Sequence, residues 1–178
     1  MPDTESARYK IFIAAEAEAV WSEITKRGDL QKAMFNNYLD CVELAAGEPF
    51  RMLSPSRQLV SVFGKVLEVE APHRYKHTMA FTNIDEPPAT VTHLITPVEG
   101  GVEYEMLLEG LVAGSKSGKQ MASGMVMIAK TLKALAETGR PGLGVRLLHR
   151  LFALLEPLSP KSVRQEHWTL DQLRSRQG

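Results

Sequence analysis

The chain has 178 residues, is 44% apolar and 24% charged, and balances 21 Lys plus Arg against 21 Asp plus Glu. A neutral chain of this length can bury one core without staples, and its charge balance excludes a nucleic-acid binder that works by neutralising phosphates. The single cysteine, Cys41, excludes an internal disulfide and a paired-cysteine metal or redox site, and points to a reducing, cytoplasmic setting.

The start, MPDTESARYK, lacks the apolar stretch of a signal peptide, and no apolar run approaches the length of a transmembrane span. Tyr9, Ile11 and Ile13 alternate as in a strand. Ala17, Val20, Trp21 and Ile24 then recur at helical spacing, with Glu16 and Glu18 placed to suit the positive end of the helix dipole. Trp21 reads as a core anchor.

A run of short strands follows: YLDCVEL and PFRML, then the longer RQLVSVFGKVLEVE, RYKHTMAF, ATVTHLITP and VEYEMLLEG. Gly100 and Gly101 read as a two-residue hairpin turn. Placing Glu68 across from Lys76 and Glu70 across from Arg74 sets opposite charges on the solvent side. The same parity turns Tyr75, His77, Met79 and Phe81 inward, together with Val91, His93 and Ile95, and with Val102, Tyr104, Met106 and Leu108. Glu103, Glu105 and Glu109 point to solvent. Lys65 falls on the inner face unless a bulge near Gly64 turns it out.

After the meander the period changes. Met121, Met125, Ile128, Leu132 and Leu135 are spaced as one helix stripe, and the helix is expected from about Ser117 to Glu137. Gly139 and Pro141 stop it. Burying five such side chains is worth roughly 8–15 kcal/mol as an upper estimate. The tail carries Leu147, Leu151, Leu154 and Leu158 on one stripe, with Leu148, Phe152 and Leu155 beside it and Arg146, His149 and Arg150 flanking. The last twenty residues are polar, and their end is expected to fray.

The stretches IFIAAEAEAVWSEIT, GKVLEVEAPHRYKHT and LKALAETG resemble one branch of the START-like, or SRPBCC, superfamily. That branch comprises proteins similar to the C-terminal domain of the heat-shock protein 90 ATPase activator, and the superfamily includes polyketide cyclases and lipid-transfer proteins. The resemblance covers roughly residues 8–139. It implies an α+β helix-grip fold, a curved antiparallel sheet wrapped around a long helix, often with a cavity between the two. Residues 1–139 would form that domain, and 140–178 a helical tail packing on the domain or a partner.

The expected cavity lining is Tyr75, His77, Met79, Phe81, His93, Tyr104, Met106, Met121, Met125 and Ile128. Methionines adapt to irregular apolar shapes, so a small apolar or amphipathic molecule is the expected partner. His77 and His93 share one face of adjacent strands, within reach of a ligand's polar group or of acid–base work. No third metal ligand accompanies them, and no metal or cofactor is expected. The GSKSGKQ segment is one residue short of a phosphate loop and has no Ser or Thr after Lys119. The alternatives are a polyketide cyclase-type enzyme using His77, His93 or Tyr104, and a chaperone-regulating interaction module. The Leu-rich tail helix allows self-docking, a homodimer or contact with a membrane surface.

Overall fold

The computed structural model describes residues 3–176. Strands β1 (Thr4–Ile13), β2 (Leu30–Gln31), β3 (Asn37–Asp40), β4 (Pro49–Leu53), β5 (Val60–Glu70), β6 (Arg74–Phe81), β7 (Ala89–Val98) and β8 (Gly101–Val112) form one curled antiparallel sheet. Its order is β1-β8-β7-β6-β5-β4-β3-β2, with the first strand at one edge as the fold requires. Helix α1 (Ala17–Thr25) follows β1, and α2 (Lys116–Thr138) lies in the concave face of the sheet. This is the helix-grip fold.

The charge pairing expected from the sequence sets the register. Glu68 pairs with Lys76 and Glu70 with Arg74, and Arg74 Nε reaches Glu68 at 2.7 Å. A bulge lies between Val66 and Glu68 rather than at Gly64. It still turns Lys65 outward, because it makes Val66 the inward neighbour of His77. Gly64 has a different task. A Cβ there would stand 1.9 Å from the Thr78 carbonyl oxygen and 2.7 Å from the Phe50 ring, so only glycine lets Phe50 lie across the strand.

The hairpin between β7 and β8 also differs from expectation. Val98 pairs with Gly101, so the turn residues are Glu99 and Gly100, and Gly100 takes the positive φ of 79°. Gly101 instead leaves room for the Ile13 carbonyl. On the outer face Glu105 and Glu103 meet Arg8 and Lys10 of β1.

The five stripe residues of α2 are all buried. Ser115 caps the helix by accepting from the Gly118 N–H, and Gly139 ends it in the left-handed conformation. At about 1.5 Å per residue its 23 residues span the sheet. Val20 and Ile24 of α1 enter the same core, and half-buried Trp21 bridges it to a second cluster around Leu39, Phe50 and Tyr75.

Beyond α2 come α3 (Leu143–Leu155), three single turns, and α4 (Leu170–Arg176). The polar segment is tied down over the described residues, and the last two positions, where fraying is expected, lie outside them. Leu173 is fully buried, Arg174 pairs with Glu48 at 2.7 Å, and Trp168 packs on Phe63. Arg51 also donates to the carbonyl oxygens of Gln165 and Trp168. None of the helices among the described residues is long and apolar enough to cross a membrane.

Candidate functional site

Strands β6, β7 and β8 bring three polar side chains into contact inside the sheet. Tyr75 pairs with His93, and His93 with Met106, which makes His77 the diagonal neighbour of His93. His77, His93 and Tyr104 are all buried. His77 Nδ1 lies 2.9 Å from the Thr78 carbonyl oxygen, which only accepts, so Nδ1 must donate. In neutral His77 that leaves Nε2 as an acceptor, 3.3 Å from His93 Nε2. His93 therefore donates from Nε2 and accepts at Nδ1 from the Tyr104 hydroxyl, at 2.7 Å. The chain runs in one direction, from Tyr104 to His93 to His77 to the Thr78 carbonyl, and every ring nitrogen in it is used.

Burial keeps both imidazoles neutral. It pushes the His77 pKa down to about 4, against the opposing hydrogen bond to Thr78. His93 is held well below the usual range by burial and by His77 beside it. Burial likewise raises the Tyr104 and Tyr75 hydroxyls above their ordinary pKa. Aromatic rings fix the geometry. Tyr75 stacks on His93 at 5.6 Å, and Phe50 meets His77 edge-on at 5.0 Å.

A cavity of about 650 Å³ lies between the sheet, the first half of α2, the loop at residues 34–37 and helix α3. Eight of the ten expected lining residues face it. Tyr104 and Met125 do not. Tyr104 sits behind His93, and Met125 turns into the main core. Other walls come from residues outside the sequence-based set: Phe35, Val60, Val62, and Phe152 and Leu155 of α3. The alternation of β5 carries the signal for Val60 and Val62. Phe35 has a positive φ of 56° that sequence does not signal, and its ring lies over Gly124, where a Cβ would stand 3.4 Å away.

Helix α3 has two apolar faces. One carries the half-buried Val145 and Leu148 and leads to Phe152 and Leu155, which line the cavity mouth while staying partly open to solvent. The other, with Leu143, Leu147 and Leu154, is exposed. Glu156 at its end accepts hydrogen bonds from Ser54 and Ser56. Among the described residues no group of three or more His, Cys, Asp or Glu could hold a metal ion.

A family model described as activator of Hsp90 ATPase homolog 1-like protein matches residues 14–137. The chain belongs to this family. The match begins after β1 and stops before α3 and α4. No curated protein sequence matches the chain. Solved structures of similar fold include protein CV1439 from Chromobacterium violaceum, 20% identical, covering 74% of this chain and 96% of that one with a TM-score of 0.58. DynU16, from the dynemicin biosynthetic locus, is 19% identical at a TM-score of 0.62 over 79% of this chain and 49% of its own. The Aha1 dimer from Colwellia psychrerythraea is 14% identical at a TM-score of 0.61, over 76% of this chain and 98% of that one. At these identities the likeness establishes the fold this family member shares with them.

Proposed function

We propose that this family member binds a small apolar or amphipathic molecule in the cavity between the sheet and α2. The observation that carries the reading is the cavity of about 650 Å³, within the size range of small-molecule sites, walled by adaptable methionines and rigid aromatic rings. Met79, Met106 and Met121 line it together with Tyr75 and Phe81. The His77–His93–Tyr104 chain supports binding over catalysis. A base needs a free lone pair, and His77 spends its own accepting from His93 while His93 spends its own accepting from Tyr104. Among the described residues no carboxylate hydrogen-bonds to these three side chains to raise their basicity. A cyclase-type reaction would have to break this network first.

Gly124 supplies the test. It lines the cavity from the middle of α2 under the Phe35 ring, so Gly124→Leu displaces that ring and adds bulk to the cavity wall while raising helix propensity. The wild-type chain is expected to carry a stoichiometric small molecule through native mass spectrometry, and the variant to carry less of it or none. Equal loading of a folded variant would place the ligand elsewhere.

A further inference from the structure

Among the described residues nothing covers the outer face of α3. Leu143, Leu147 and Leu154 are 76%, 68% and 76% exposed, and Leu158, just past the helix, is 79% exposed. Leu151 continues the same stripe. A helix apolar on its inner and outer faces alike is covered by something, since contiguous exposed leucines are rare on a protein surface.

Charge says what covers it. Residues 140–164 hold five basic side chains, Arg140, Arg146, Arg150, Lys161 and Arg164, against one carboxylate, Glu156, for a net +4. The whole chain is neutral, so the remainder carries −4. All five cations are exposed, and none of them makes an ion pair among the described residues. Arg146 and Arg150 line one border of the leucine stripe, one helical step to its side. Lys32 lies close enough to His149 to help lower its pKa, adding a further cation beside the helix. Glu156, the one carboxylate of the segment, is held at the helix end by Ser54 and Ser56.

A leucine face bordered by unpaired arginines is the arrangement of a helix lying in a bilayer interface, apolar side in the acyl boundary and cations among anionic headgroups. A second copy of the same face would bring like charges together. We propose that the outer face of α3 docks this protein on an anionic lipid membrane. The inner face of the same helix walls the cavity, so docking would set that end of the cavity at the bilayer. Docking does not depend on the cavity being loaded, so this proposal and the ligand reading can fail separately.

The test is co-sedimentation of the full chain with vesicles of phosphatidylcholine alone or with about 30% phosphatidylserine, at low and high salt. The expected result is binding at least about tenfold tighter to the anionic vesicles, weakened by salt. Leu147→Glu with Leu151→Glu should abolish it, and Arg146→Gln with Arg150→Gln should weaken it about tenfold. These positions are exposed, so unchanged cooperative melting of the variants shows that the fold is intact. Failure to bind anionic vesicles overturns the proposal, as does equal binding to neutral ones. A stable dimer that the Leu→Glu pair converts to monomer, without vesicle binding, also overturns it and assigns the stripe to a second copy.

Discussion

Tyr104 has no exposed surface, and among the described residues its hydroxyl is the donor that serves His93 Nδ1. Tyr104→Phe leaves that nitrogen as a buried acceptor with no partner. The expected cost is about 1–3 kcal/mol, read as a shift in the urea midpoint at unchanged slope. The histidines predict a pH dependence. His77 has a folded pKa of about 4 against an ordinary value of 6.5, so the unfolded chain binds its proton first. The stability from His77 is therefore complete above about pH 6.5, falls as the pH drops from there to about 4, and levels off below. At pH 5 the loss is about 2 kcal/mol for His77, with His93 acting in the same direction. Urea melts at pH 7.5 and pH 5 check it, and equal midpoints would contradict neutral, buried imidazoles. Much of this cluster was legible in the sequence, because the Glu68–Lys76 and Glu70–Arg74 pairs fix the parity that turns Tyr75, His77 and His93 inward. The direction of the proton chain was not. It depends on the Thr78 carbonyl, a backbone atom that no side-chain pattern reports.

Among the elements, α2 was readable because its apolar positions repeat at helical spacing between Ser115 and Gly139. The tail was harder. Sequence shows the leucine stripe of α3 strongly, and the stripe is the face left exposed; the better-covered side is the weaker set of Val145 and Leu148, both half-buried. Hydrophobicity alone does not say which of two apolar faces meets the body. The polar segment after α3 hides its anchors for a related reason. Leu173 is one apolar residue in a short helix, yet it is fully buried beside β4. Leu173→Ala is expected to cost about 2–5 kcal/mol, because it opens a cavity where α4 meets the sheet. Thermal or urea unfolding checks this. A change under about 0.5 kcal/mol would mean that α4 is not held to the sheet.

For the whole molecule, the sheet order and the long helix follow from strand alternation, a charge-paired hairpin and one helical stripe. The cavity does not, because a void is defined by what several distant segments fail to fill. Phe35 reaches it from a loop with positive φ, and Phe152 from a helix beyond the family's matched span. The fold and family membership constrain the container, and the ligand is a matter for the contents. Native mass spectrometry of the purified chain, followed by organic extraction, tests that most directly. The account predicts a stoichiometric added mass in the small-molecule range that extraction removes and Gly124→Leu diminishes. A bare wild-type chain whose melting temperature no apolar or amphipathic probe raises would contradict it.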